Sequence, residues 1–235
     1  MGDLGGLFYA VGGRERNPEV VGSDAREVDV FDPATNTWQS RCELLQARHR
    51  PGVAVLDGCL FSIGGASGKS HLDSVERYVP ERNQWEWVAS MSCSRVGVAA
   101  AVVNRLLYAI GGFNGIERLA SVECFHPEKN EWIFVRYFDS VDLDSFGFLR
   151  VFIFIELTFD CFFNRPMNHQ RSGAGVVALG QYIYVAGGMG TDGQLNSLER
   201  YDTEKDVWCV LNPMTVARSA LTLAVLDNKI YAMGG

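Results

Sequence analysis

Proline is scarce in this 235-residue chain, with 7 residues. That excludes proline-rich and collagen-like segments, although 25 glycines promise many tight turns. The six cysteines stand at 42, 59, 93, 124, 161 and 209. No two of them make a CxxC pair, which excludes zinc ribbons and thioredoxin-type motifs. An Asn-x-Ser/Thr sequon and a signal peptide are also lacking, so the expectation is a reducing, cytoplasmic compartment, with the nucleus as the alternative. Positive charge is in deficit: 21 Lys and Arg stand against 28 Asp and Glu, a net charge of −7. That balance argues against nucleic acid and anionic membranes as partners. The longest apolar stretch, 146–163, is broken by Arg150, Glu156 and Asp160 and makes a poor membrane span. Outside that stretch no 11-residue window carries a good 3.6-residue apolar period, so helices are not expected. Hydrophobic residues still make up 47%, ample for a sizeable core.

What the chain does have is repetition. Five apolar, β-rich runs end in a double glycine: FYAVGG (8–13), LFSIGG (60–65), LYAIGG (107–112), IYVAGG (183–188) and IYAMGG (230–235). Trp85, Trp132 and Trp208 each follow the second glycine by 20 residues, and Trp38 by 25. Arg48, Arg95, Arg171 and Arg218 each precede the first glycine of a pair by 16 residues. Before each Trp comes a strand-and-turn phrase such as DSVERYVPERNQW or NSLERYDTEKDVW. Each unit therefore reads as four short strands: Arg-led, Gly-Gly-ended, ERY-like and Trp-led. Trp38, Trp85 and Trp132 recur every 47 residues, a period that suits a propeller blade. A blade cannot bury both faces alone, so its stability comes from neighbouring blades. In this reading the glycines permit close backbone approach and the Trp fills space between blades.

These residues resemble kelch repeats. Within that family, VGGRERNP, RHRPGV, VNRLLYAIGGFNGIERL, HQRSGAGVVAL and GQLNSLERYD are similar to the kelch domain of cullin ubiquitin-ligase substrate adaptors that repress a cap'n'collar stress transcription factor. The resemblance implies an all-β, partial kelch β-propeller with four-stranded blades and about four of six repeats. The repeat portions are 1–41, 42–88, 89–136, 166–211 and 212–235. The first portion opens inside a repeat with three strands and the last is half made, so the ring is expected to be open. Ligase recruitment would need regions this chain lacks.

One segment breaks the pattern. Trp85 reaches Met91 in six residues, whereas Trp132 reaches Met167 in 35. Removing 137–165 restores the six-residue step. The excised run holds 8 of the 14 Phe, and its edges can be written as splice sites. It reads as an anomalous insertion, a retained intron or a gene-model error. If translated, it enters the connection to Arg171 and Ser172 and obstructs the face described next.

Positions identical in every repeat serve packing; positions on the same loops that differ are free to recognise something. By that filter the repeated Arg, Trp, Gly-Gly and ERY residues are structural. The variable ones include Arg14, Ala66, Phe113 and Met189 after the glycine pairs, His71, Arg118 and Gln194 further on, and His49, Arg50, Ser172 and Ser219 after the repeated Arg. In a kelch propeller these loops share one face. It would carry Arg14, Arg16, Arg50 and Arg118 with Ser172, Ser219 and Gln194 as neutral donors, a set suited to an acidic peptide because guanidinium forks pair bidentately with carboxylates. The resemblance implies that Arg14, Arg50, Arg118, Ser172, Gln194 and Ser219 fall on the adaptors' contact positions for a Glu-Thr-Gly-Glu-type peptide, with His71 peripheral. The chain departs from the pattern at Arg16 and His49, where the family has Asn, and at Met189, where it has Tyr.

The implied function is therefore a substrate-recognition module, with no catalytic, metal or cofactor site expected. GGASGKS (64–70) imitates a phosphate loop, but Ile63 stands where its first Gly is needed and a strand follows it. A copper-oxidase propeller would need converging ligands, and the four His (49, 71, 126, 169) occupy unlike repeat positions. Binding to actin or another cytoskeletal partner is the alternative function, without a signature of its own. The cysteines are expected to be core thiols.

Overall fold

The computed structural model describes residues 2–14, 23–134 and 165–235. Most of the insertion, 137–164, lies outside the described residues, as does Arg16. Short antiparallel strands form four sheets of four strands among the described residues. The first blade comprises Gly2–Leu4, Leu7–Arg14, Asp24–Asp32 and Thr37–Ser40; the second comprises Gly52–Leu56, Cys59–Ile63, Val75–Val79 and Gln84–Val88. The third comprises Ala99–Val103, Leu106–Ile110, Val122–His126 and Glu131–Phe134; the fourth comprises Gly175–Leu179, Tyr182–Ala186, Leu198–Asp202 and Val207–Leu211. A hairpin, Leu221–Leu226 with Lys229–Gly234, follows. Each blade is a simple meander in sequence order. The all-β propeller expectation therefore holds, with an open set of blades. One detail differs: the first blade has four strands, because Gly2–Leu4 pairs with Leu7–Tyr9 across the Gly5–Gly6 turn. A three-residue strand is too short to show any alternation.

The turns at the ends of the inner hairpins follow from residue type. Asp57 and Gly58 both have positive φ (48° and 73°), as do Asn104 and Arg105 (51° and 60°). Two consecutive left-handed residues make the primed turn whose twist matches the flanking strands. Arg105 is held there by a two-pronged pairing with Asp57, 3.1 and 3.0 Å from its two carboxylate oxygens.

The apolar faces meet between blades. Tyr9, Val28 and Val30 pack against Leu60, Tyr78 and Trp85 between the first and second. Phe61 and Ile63 meet Leu107, Ala109 and Phe125 between the second and third. Tyr108 and Ile110 meet Ile183, Val185 and Tyr201 between the third and fourth. Burial is thus pairwise between neighbours, as in other repeat architectures. Three tryptophans pack against the third-strand aromatic of their own blade: Trp85 on Tyr78 and Trp132 on Phe125 with tilted rings, and Trp208 stacked on Tyr201, with centroids 5.3, 5.2 and 4.9 Å apart. Each indole N–H then donates to a backbone carbonyl 43 residues upstream: Cys42, Ala89 and Arg165. Arg165 thus occupies the repeat position of Cys42 and Ala89. Trp38 departs from the space-filling expectation and is 56% exposed, because no described blade packs over its side of the first sheet.

The repeated arginines are structural, as read. Arg48, Arg95 and Arg171 are fully or almost fully buried and pair with the equally buried Glu76, Glu123 and Glu199 at 2.5, 3.0 and 2.5 Å. Their Nη1 atoms donate to the carbonyl of the first glycine of each pair, on Gly64, Gly111 and Gly187. Their backbones serve the preceding blade. The second glycine's N–H donates to the next arginine's carbonyl, from Gly13 to Arg48, Gly65 to Arg95, Gly112 to Arg171 and Gly188 to Arg218. One residue type therefore locks its own blade with its side chain and latches the previous blade with its backbone. Arg218 keeps the glycine contact, to Gly234 at 2.7 Å, but is only half-buried.

Burial pushes the Glu199 carboxyl up, but hydrogen bonds from the Asn168 side chain and backbone, and the charge and hydrogen bond of Arg171, outweigh it and hold the group below its ordinary value of 4.5. A depressed folded value means stabilisation that is complete above about pH 4.5 and lost as pH falls through the folded value. The melting temperature is therefore expected to be insensitive to this group from neutrality to about pH 5 and to fall below that. Glu199→Gln should flatten the acid limb of a melting-temperature profile; an unchanged slope would contradict the assignment.

Candidate functional site

The loops after the glycine pairs and those leading into the repeated arginines meet on one face. Around its centre the inner strands begin in a shared way. Gly97 N–H donates to Arg50 O, Gly173 N–H to Gly97 O and Ala220 N–H to Gly173 O, at 3.0, 2.7 and 2.8 Å. All four residues are left-handed, with φ of 52°, 63°, 62° and 58° in chain order. Two are glycines, for which this costs little; at Arg50 and Ala220 it is strained.

Above this arc lies an open hollow of about 550 Å³. Of the predicted site residues, Arg50, Arg118, Ser172 and Ser219 line it. Its apolar lining includes Val96, Phe113, Ala174 and Met189. Gln194 stands at the rim and donates from Nε2 to Ser219 Oγ at 3.3 Å. Arg50 also lines an adjoining hollow with Gly13, Arg14 and His49. The structure therefore brings Arg14, Arg50 and Arg118 to one side of the molecule, contributed by three blades.

His71 is exposed, and its ring lies edge-on to Phe113 with centroids 5.6 Å apart. It links the loops of the second and third blades beside the hollow. The loop carrying Arg118 is braced by Asn114, whose Oδ1 accepts the backbone N–H of Ile116 and Glu117, both at 2.8 Å. Phe113 bridges to both Val96 and Arg118 through backbone pairing. This ties the arginine loop to the strand-leading loop.

Sequence reading missed Asp24. Its side chain is 4% exposed and accepts Arg14 Nε at 3.1 Å, while His49 Nδ1 lies 2.7 Å from the same oxygen. The Gly68 N–H donates to the other oxygen at 2.5 Å. Burial pushes its carboxyl up, but Gly68, Arg14 and His49 together hold it below the ordinary carboxylate range. Arg14 is thus a paired arginine, half exposed at 51%, and not a free one. The partners come from residues 14, 49 and 68, separations that no local motif announces; the alternation of the Asp24–Asp32 strand was the only signal.

The phosphate-loop imitation is a hairpin, Ala66–Ser67 with Ser70–His71, and no helix follows it. No cluster of three metal-ligating side chains occurs among the described residues. No helix among them is long and apolar enough to cross a membrane. Of the described cysteines, Cys124 is buried, whereas Cys42, Cys59, Cys93 and Cys209 are half-buried, which corrects the core-thiol expectation. Partial burial raises the thiols of Cys59 and Cys93 above their ordinary value.

The comparisons with known proteins match this architecture. The Kelch motif family model matches residues 47–92, 94–137 and 170–215. The chain belongs to the kelch-repeat family, whose propellers are in general protein-interaction modules. The first blade, with its longer interval between Gly13 and Trp38, lies outside the matched segments. The chain is 42% identical over 72 residues to Kelch-like ECH-associated protein 1B of Danio rerio, covering 31% of this chain and 12% of that protein. It is 38% identical over 71 residues to the Influenza virus NS1A-binding protein homolog B of Danio rerio, covering 30% and 11%. These matches thus span only about a tenth of either relative's length. The solved structure of YjhT superposes with a TM-score of 0.70 at 16% identity, over 97% of this chain and 72% of that one, and supports the fold alone.

Proposed function

We propose that this chain is the substrate-recognition part of a cullin ubiquitin-ligase adaptor. It captures an acidic degron peptide of a cap'n'collar stress-response transcription factor on its arginine-bearing face. The observation that carries this reading is the convergence of Arg50 and Arg118 with Ser172 and Ser219 on one hollow, with Arg14 beside it. Guanidinium groups from separate blades can grip two carboxylates of a turn at once, and the serine hydroxyls add neutral donors to peptide carbonyls. Likeness to the Kelch-like ECH-associated protein over 72 residues supports a peptide partner. Met189 adds a soft apolar contact to the lining. Catalysis is not part of this reading, and ligase recruitment would fall to other regions.

The test is calorimetric titration of a Glu-Thr-Gly-Glu peptide into the chain with and without 137–165, the insertion being expected to weaken or abolish binding. Replacing Arg50 and Arg118 together by Ala is expected to weaken binding by about a hundredfold or more, about 3 kcal/mol. Equal affinities of parent and variant would defeat the proposal. Co-sedimentation with actin filaments in place of peptide binding would favour a cytoskeletal role.

A further inference from the structure

Asp24 is an odd companion for an anion-binding face. A carboxylate beside Arg14 lowers the positive potential there, so its presence needs a reason. The geometry supplies one. Asp24 Oδ1 engages both Arg14 Nε and His49 Nδ1, and Oδ2 takes the Gly68 N–H. These donors come from the end of the strand that carries the first glycine pair, the loop leading into the second blade, and the loop after the second glycine pair. Arg14 and Asp24 are also direct cross-strand partners. Arg14 Nη2 lies 3.5 Å from both ring nitrogens of His49. The guanidinium is therefore anchored through its Nε side against an almost wholly buried acid, beside the hollow it shares with Arg50.

We infer that Asp24 is a positioning residue. It holds the Arg14 guanidinium at the rim in one orientation and, through His49 and Gly68, fixes the loops that flank it. The inference deepens the acidic-peptide reading and rests on it: Asp24 lowers the local field yet strengthens capture, because a preset guanidinium loses less freedom when a carboxylate arrives. A mere field effect has the opposite sign, since removing a negative charge would tighten anion binding whatever occupies position 14.

The experiment pairs a binding cycle with a readout that needs no peptide. In the full chain, the Arg14 Nε–H resonance is followed by NMR in the parent and in Asp24→Asn. The Glu-Thr-Gly-Glu peptide is titrated into the parent, Asp24→Asn, Arg14→Ala and the double variant, each with and without 137–165. The expected result is loss of the protected Nε–H signal and affinity about five- to tenfold weaker in Asp24→Asn, with no further loss when Arg14 is already Ala. Arg14→Lys keeps the charge without the fork, and it should lose a similar factor. It also decides the matter should Asp24→Asn fail to fold, because full affinity in Arg14→Lys overturns the inference. So does an unchanged Nε–H signal, or tighter binding in Asp24→Asn whether or not Arg14 is present. If the parent binds no peptide either with or without 137–165, the acidic-peptide reading fails and takes with it the claim about capture, while the Nε–H comparison still decides whether Asp24 holds Arg14.

Discussion

Arg95→Met is expected to lower the free energy of unfolding by about 3–5 kcal/mol, measured by urea denaturation. The change leaves Glu123 buried and charged without its partner, and it removes the donors to Gly111 O and Ser121 O at 2.7 and 3.1 Å. The pair itself need not be strongly favourable: desolvation of two buried charges offsets much of their attraction. What makes the single substitution severe is the uncompensated carboxylate. Adding Glu123→Leu should therefore recover part of the loss. Recovery is expected to stay incomplete, because Glu123 also accepts the Ser92 N–H at 2.6 Å, and the two carbonyls stay short of donors. If Arg95→Met costs less than about 1 kcal/mol, the pair is not the lock described.

Gly111→Ala should be of the same order, for a steric reason. Gly111 has φ of +63°, and an added Cβ would lie 2.5 Å from the carbonyl oxygen of Arg171, on the loop leading into the fourth blade. That contact cannot be relieved by rotating a side chain, since the obstacle is backbone. It also lies beside the Gly112 N–H bond to the same oxygen, so the third and fourth blades would have to separate. Destabilisation of about 3–5 kcal/mol is expected, seen as a loss of melting temperature. Gly180→Ala serves as control: its φ is +60°, but open space surrounds its Cβ position. It should cost about 1 kcal/mol from backbone strain alone. Equal losses at the two positions would show that conformation, not blade contact, explains the paired glycines.

Much of the scaffold was legible because each repeated residue answers a physical demand that recurs with every blade. The Arg, the glycine pair and the Trp are fixed by one hydrogen-bond and packing scheme, so spacing alone exposed them. The candidate face was legible for the converse reason: Arg50, Arg118, Ser172 and Ser219 vary where the scheme leaves freedom. What spacing could not reveal is long-range and particular. Asp24 acts on residues 25 and 44 positions away as well as on Arg14. Gly2–Leu4 is too short to alternate. The exposure of Trp38 depends on what packs beside its blade, which no local pattern reports.

Arg50 sits in a backbone shape that two of its three counterparts fill with glycine. An L-residue held there forgoes on the order of 1–2 kcal/mol. The inter-blade hydrogen bond from Gly97 keeps the chain in that shape. Its long side chain is thereby launched from the innermost turn of the rotor, where three other blades offer little more than bare main chain. A strained backbone position and a long charged side chain that lines both hollows therefore coincide, as is common where strain collects at candidate sites.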